Sequence, residues 1–275
     1  MAESCYLNFR NSVFHFVRFG RGPRTLIAFH GFSEDGRSFL PLAPALGEVY
    51  TVYAIDIPYH GKTQWRESRH FTKADLRDLL TLLLAEYNIT RFSVFGFSMG
   101  GKCAMYATKY FAPQIDALWL LASDGIKTNR IYNVAVYPAW GRELFKTTIR
   151  HPRWLFTVVN IAVKLKLITP WLQKFTRNHM ATREKRQRLY DTWITMAGFE
   201  PDIAKVKATI REHHIRTLLI FGKRDEVIRP DVGEQFAKDL PEAVFIPIER
   251  GHYFIDDRLN PVITEALSYI LPPNA

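Results

Sequence analysis

Val94-Phe95-Gly96-Phe97-Ser98-Met99-Gly100-Gly101 is the stretch on which the reading of this chain of 275 residues turns. It holds the pattern Gly-x-Ser-x-Gly, in which a buried strand bends sharply into a helix and carries a serine on the bend, in a strained backbone conformation with its hydroxyl exposed. Gly96 and Gly100 flank the bend so closely that a side chain at either would meet the neighbouring strand or helix. The helix that follows aims its N-terminus at the serine, so N–H groups and a partial positive charge face any oxyanion formed there. Three fixed positions recur by chance in roughly one chain of this length in ten, so the context decides. Arg91 to Phe95 is a β-rich run and Lys102 to Tyr110 has helical character, which supplies a strand before the turn and a helix after it.

Outward from this stretch the chain alternates. Residues 5–9 and 13–19 alternate apolar with polar and read as an antiparallel opening pair with Asn11-Ser12 at the turn. Residues 25–29 form a continuous apolar run, the mark of a strand buried on both faces; residues 49–55 read as another buried strand, and residues 115–121, 215–221 and 243–248 as further strands. Helical patterns lie between them at 36–46, 71–87, 230–240 and 260–271, the second opened by a Thr72 cap and carrying Leu76, Leu79, Leu80, Leu83 and Leu84 on one side. Strands alternating with helices imply an α/β class with a mostly parallel central sheet flanked by helices. The alternation stops between residues 126 and 214, which are helical in period and rich in aromatic and basic residues. An organisation follows: a core of residues 1–125 and 215–275, and a helical insertion of residues 126–214.

Composition bounds the rest. Hydrophobic residues make up 47% and charged residues 23% of the chain, ordinary for a globular protein and unlike a disordered one. Two cysteines, Cys5 and Cys103, fit a reduced compartment and form no metal spacing. No cluster of His, Cys and carboxylates stands at metal-ligand spacing, so neither metal nor cofactor is expected. Met1-Ala2-Glu3-Ser4-Cys5 lacks the basic start and apolar run of a signal peptide, which points to a cytoplasmic location. The net charge is +10, and residues 127–216 hold 18 Lys and Arg against 6 Asp and Glu, or +12, leaving −2 elsewhere. Such a basic segment raises nucleic acid as a partner, but no helix-turn-helix, zinc-finger or RNA-recognition pattern is present and none is expected. Peripheral contact with an anionic membrane fits better, because Trp154 to Lys164 resembles an interfacial amphipathic helix; a helix buried within the insertion would have the same composition.

Ser98, Asp225 and His252 each fall just beyond the C-terminal end of an expected parallel strand, the edge where open α/β sheets bind ligands. With their order Ser, Asp, His, the chain resembles the α/β-hydrolase superfamily over nearly its whole length. The matching pieces are His30-Gly31-Phe32, Asp56-Ile57-Pro58-Tyr59-His60-Gly61, Gly96 to Gly101, Gly222-Lys223-Arg224-Asp225 and Gly251-His252. Tyr59 departs from the glycine that many relatives have in that turn. The resemblance implies a serine hydrolase in which Ser98 is the nucleophile of a strand–helix elbow, His252 its base and Asp225 the partner of the imidazole. Asp124, also after a strand, is the rival acid. Backbone N–H groups of Phe32 and Met99 would form the oxyanion hole. The insertion would be a cap, or lid, and its aromatic residues, Tyr132, Tyr137, Trp140, Phe145, Trp154, Phe156, Trp171, Phe175, Tyr190, Trp193 and Phe199, would form its own small core or line an acyl pocket. His30, Phe97, Tyr137 and Trp140 are the candidate substrate-binding residues, with His30 also placed to brace the oxyanion loop. A serine at the nucleophile position separates the chain from dehalogenases and epoxide hydrolases of the superfamily, which place aspartate there. The expected reaction is hydrolysis of a small-molecule carboxylic ester with an apolar acyl part. Carbon–carbon bond cleavage by the same residues, a thioesterase or aminopeptidase reaction, and a non-catalytic ligand-binding protein on this fold are the alternatives.

Overall fold

A computed structural model describes residues 2–127, 130–166 and 170–271 of the chain. They form two compact units, residues 1–127 with 199–275, and residues 128–198.

The first unit is built on one eight-stranded sheet. Its strands are β1 (Glu3–Phe9), β2 (Ser12–Phe19), β3 (Arg24–Phe29), β4 (Tyr50–Ile55), β5 (Phe92–Phe97), β6 (Ile115–Leu121), β7 (Arg216–Gly222) and β8 (Ala243–Ile248). The spatial order is β1-β2-β4-β3-β5-β6-β7-β8. β2 runs antiparallel to both neighbours, and every pairing from β4 to β8 is parallel. The mainly apolar runs become the central strands: β5 is buried throughout, and Trp119, Phe95 and Tyr50 lie in the core beside the helical turns at 36–46. Stacking of Phe95 on Trp119 at 5.8 Å ties β5 to β6.

Helices α1 (Ala43–Leu46), α2 (Lys73–Glu86) and α3 (Gly100–Tyr110) belong to this unit. Thr72 caps α2 with a reciprocal capping box, its hydroxyl accepting from the Asp75 N–H while the Asp75 carboxylate accepts from the Thr72 N–H. The expected helix at 36–46 is a 3₁₀ stretch, Gly36–Leu42, that runs into the single turn of α1, with Pro41 inside the stretch and Pro44 in the first turn of α1.

The second unit holds α4 (Arg130–Val136), α5 (Ala139–Arg150), α6 (Arg153–Lys164), α7 (Pro170–Met180) and α8 (Arg183–Ala197). Its aromatic residues pack on one another. Phe145 lies 5.3 Å from both Tyr190 and Trp193, and the Tyr132 hydroxyl donates to the Trp193 carbonyl at 3.1 Å.

α9 (Ile203–Glu212), α10 (Pro230–Ala237) and α11 (Asn260–Ile270) complete the first unit. Here the structure corrects the expected boundary of the insertion at residue 214. Residues 199–214 belong with the sheet. Phe199 is fully buried and stacks on Phe71 at 5.7 Å, while Val206 and Ile210 bury the inner face of α9, which packs on α3. Beneath this return the fully buried Lys102 of α3 donates to Glu200 Oε2 at 2.8 Å and lies 3.5 Å from Asp124 Oδ2.

Candidate active site

The parallel register brings the ends of β3, β5, β6, β7 and β8 to one edge, pairing Phe29 with Gly96, Phe97 with Leu121, Leu121 with Ile220 and Gly222 with Ile248. β4 lies on one side of β3 and β5 on the other, so the chain reverses direction across the sheet there. The loops after β3 and β5 leave the sheet at this switch point, the edge at which open α/β sheets bind ligands.

Ser98 stands between β5 and α3 with φ of +48°, a left-handed backbone that an L-residue adopts only when its surroundings hold it. Those surroundings are identifiable. The Ser98 N–H donates to the Leu121 carbonyl, and the Ser98 carbonyl accepts from both Gly101 and Asp124 N–H groups, each at 2.9 Å. A Cβ on Gly96 would press on Gly101 and Ala104 of α3, one on Gly100 would overlap the Phe29 carbonyl at the end of β3, and one on Gly101 would overlap the Ser123 side chain. The two clashes expected from the sequence are therefore with the helix at Gly96 and with the strand at Gly100, and Gly101 adds a third.

His252 follows β8 and is buried; its Nε2 lies 3.0 Å from Ser98 Oγ and its Nδ1 2.8 Å from Asp225 Oδ2. Asp225 is buried, and its other oxygen accepts from the N–H groups of Val227 and Ile228 at 2.7 and 2.9 Å. A carboxylate with those contacts can only accept, so it takes the Nδ1–H of the imidazole and leaves Nε2 to accept the serine proton. The rival Asp124 accepts from the Gly125 N–H at 2.7 Å and faces Lys102; the carboxylate that reaches the imidazole is Asp225.

The four candidate substrate-binding residues differ in their surroundings. His30 is fully buried: its Nε2 accepts from the Ile57 N–H at 3.0 Å and its Nδ1 donates to the Gly31 carbonyl at 2.7 Å. Burial holds its pKa below the ordinary value, which keeps the ring neutral as this pattern requires. It braces the loop after β3 and has no ring nitrogen left for a substrate. Phe97 is also buried, its ring 5.5 Å from that of His252 and 5.8 Å from that of Phe254, so it packs against the imidazole instead of lining a pocket. Tyr137 and Trp140 belong to the second unit and are exposed there. Met99 is buried at the start of α3, and Phe32 is half-buried in the loop after β3.

Glu34 is a site residue that the sequence alone does not mark. It is half-buried in the loop after β3, and its carboxylate accepts from the Gly31 N–H at 3.1 Å. Burial pushes its pKa up to about 7, against the pull of that N–H and of His252, with Asp35 adding to the rise. A carboxyl that titrates near neutrality therefore sits within electrostatic reach of the imidazole. Exposed Tyr253, its ring 5.2 Å from that of His252, adds apolar surface beside it.

A second hydrogen-bonded Ser–His–Asp chain provides an internal comparison. Ser4 Oγ lies 2.6 Å from His15 Nε2, and His15 Nδ1 lies 2.6 Å from Asp56 Oδ2. Asp56 also accepts from the N–H groups of Gly36 and Lys62, both at 2.7 Å. Ser4 is on the extended edge strand β1, with neither a left-handed turn nor a helix N-terminus beside it. This chain ties β1 and β2 to the loop after β4. The same connectivity is thus structural where the oxyanion geometry is missing.

The sheet order, its flanking helices and the loops at its carboxyl edge are those of the α/β-hydrolase fold. Comparison with known proteins agrees. Residues 24–154 match the alpha/beta hydrolase fold family, and residues 168–255 match a serine hydrolase family (FSH1). An uncharacterized hydrolase of Bacillus subtilis (strain 168), YugF, is 23% identical over 252 residues, 86% of each chain. Among solved structures, a thermophilic esterase from Thermogutta terrifontis superposes with a TM-score of 0.71 at 17% identity, covering 98% of this chain and 99% of that one. A meta-cleavage product hydrolase from Pseudomonas fluorescens IP01 superposes with a TM-score of 0.66 at 18% identity, covering 96% and 97%. At such identities the structural likeness speaks for the fold alone. The chain belongs to the α/β-hydrolase superfamily and is a hydrolase of that family.

Proposed function

We propose that the protein is a serine esterase that cleaves a carboxylic ester with an apolar acyl part through an acyl-enzyme on Ser98. The supporting observation is the single hydrogen-bonded line from Asp225 through His252 to a serine held at φ of +48° ahead of α3. In the first half-reaction Ser98 Oγ attacks the ester carbonyl carbon while its proton passes to His252 Nε2. Asp225 holds the tautomer and stabilises the imidazolium. The oxyanion is taken by the Met99 and Phe32 backbone N–H groups. The carbon–oxygen bond then breaks, and His252 returns the proton to the departing alcohol. Water repeats the sequence on the acyl group: its proton goes to His252, the carboxylic acid leaves, and the proton returns to Ser98. The apolar acyl part rests on Tyr253, exposed beside the imidazole.

A fluorophosphonate probe tests this reading. It is expected to label Ser98, and Ser98→Ala is expected to abolish labelling altogether, leaving Ser4 unmodified because its strand offers no oxyanion donors. No labelling of the folded wild type would favour a binding protein, and residual label on Ser4 would show that the hydrogen-bonded chain alone activates a serine. A second reading, hydrolysis of a carbon–carbon bond by the same residues, is favoured by the likeness to a protein described as a meta-cleavage product hydrolase. Turnover of a β-diketone in preference to p-nitrophenyl esters of graded chain length would decide for it.

A further inference from the structure

α6 is apolar on two sides. Val159 faces inward and is buried, with Phe156 and Val163 half-buried beside it. Trp154, Val158, Ile161 and, one residue past the helix, Leu165 recur at steps of four, three and four, which places them in one stripe. All four are between 43% and 63% exposed. Arg153, Thr157, Asn160 and Lys164 form its polar side, and an apolar face on a helix is ordinarily covered. Arg153, Lys164 and Lys166 border the stripe, are exposed, and make no ion pair among the described residues.

The charge of the unit selects what covers that stripe. Residues 128–198 carry 13 Lys and Arg against 3 Asp and Glu, a net of +10, while the remainder of the chain holds 24 of each sign. The whole net charge of the protein therefore lies on the second unit. A second copy of this chain would bring +10 against +10. Nucleic acid would match the charge but not the apolar stripe, since its interfaces are polar. An anionic bilayer matches both, with the stripe in the headgroup–acyl boundary, Trp154 at the level where indoles settle, and the basic side chains reaching up to lipid phosphates. Helix α6 has 12 residues, about 18 Å of length, so it can lie in the interface but not cross a hydrocarbon core of about 30 Å. Among the described residues no helix is long and apolar enough to cross a membrane.

We propose that the outward stripe of α6, Trp154, Val158, Ile161 and Leu165 with its border of Arg153, Lys164 and Lys166, docks the protein on an anionic phospholipid surface. The intact protein is mixed with vesicles of phosphatidylcholine alone and with about one-third phosphatidylglycerol, and the bound fraction is read by co-sedimentation. The expected result is binding to the anionic vesicles only. Ile161→Asp, at an exposed position that folding does not depend on, is expected to weaken it at least about ten-fold. Lys164→Gln is expected to weaken it about five-fold. Circular dichroism and labelling of Ser98 serve as controls for folding. Absence of binding to either vesicle overturns the proposal, as does binding that neither substitution changes. So does a solution dimer that Ile161→Asp dissociates without any vesicle binding, or duplex DNA retained where vesicles are not.

Discussion

Glu34→Gln separates the electrostatics of the site from its hydrogen bonding. Glutamine keeps an acceptor for the Gly31 N–H but cannot ionise. In the folded protein burial raises Glu34 from 4.5 to about 7. Holding a carboxyl protonated over that interval corresponds to about 3 kcal/mol, and the solvent that reaches the half-buried side chain reduces it to about 2 kcal/mol. The direction follows from linkage. A raised folded pKa means that the native state binds the proton more tightly than the unfolded chain, so the contribution is complete below about pH 4.5 and is lost as pH rises through about 7. Urea unfolding of wild type and variant is therefore expected to give equal stabilities near pH 4.5 and a variant more stable by about 2 kcal/mol at pH 9. Activity is expected to move the other way. Above neutrality the Glu34 carboxylate interacts with His252 and, in the proposed reaction, favours the imidazolium that would form as Ser98 attacks. Removing that charge lowers turnover of a soluble ester about three- to ten-fold at pH 9 and leaves it unchanged at pH 5.5. Parallel stability curves, or an activity ratio constant across this range, would refute the assignment of a neutral-range carboxyl to position 34.

Two further substitutions probe the frame around the serine. Gly100→Ala puts a methyl group onto the Phe29 carbonyl and close to that of His30; it is expected to cost about 3 kcal/mol in urea unfolding, and to lower turnover at least about 100-fold because the loop bearing Phe32 must move. Lys102→Met removes the cation between Glu200 and Asp124. Because both carboxylates keep contact with solvent, the expected loss is about 2 kcal/mol rather than that of a fully buried pair, and unchanged stability at pH 7 would show that Lys102 holds neither.

How much of this was legible in the sequence differs by level. The sheet was legible because strands buried on both faces are mainly apolar, so β3 to β7 announce themselves without an alignment even with Asp116 and Arg216 at the starts of β6 and β7. The residues at the carboxyl edge were legible because Gly96, Gly100 and Ser98 answer to one local turn. Asp225 and His252 were placed by the strands immediately before them. The choice of Asp225 over Asp124 was not decided by spacing, since both follow a strand; it depends on which carboxylate the distant β8 loop meets. Phe97 was offered as a substrate contact, but burial at the end of β5 sets it against His252 and Phe254, whereas His30 takes the bracing place in the loop after β3 that was also expected of it. Phe199 to Glu212 looked like more of the helical insertion because α9 has the same amphipathic period as its neighbours, and only packing on α3 tells them apart. Glu34 left no trace in the sequence at all, because its pKa comes from burial, a property of the fold.

The separation of charge between the two units leads to a last expectation. In the proposed reaction the groups that set the electrostatics of the chemical step, Asp225 and Glu34 toward His252, act at short range within a unit that carries 24 charges of each sign. Attraction between the basic unit and an anionic surface acts through solvent instead, where salt shortens the reach of a charge from about 10 Å at 0.1 M to about 3 Å at 1 M. Raising salt over that interval should thus release the protein from anionic vesicles while leaving kcat for a short soluble ester within about two-fold. If turnover of the soluble ester fell in step with vesicle binding, the basic unit would be acting on the chemistry itself, and the division of labour argued from the charge distribution would be wrong. If neither changed, the stripe on α6 would hold the surface by apolar contact alone, and the surplus of lysine and arginine would need another explanation.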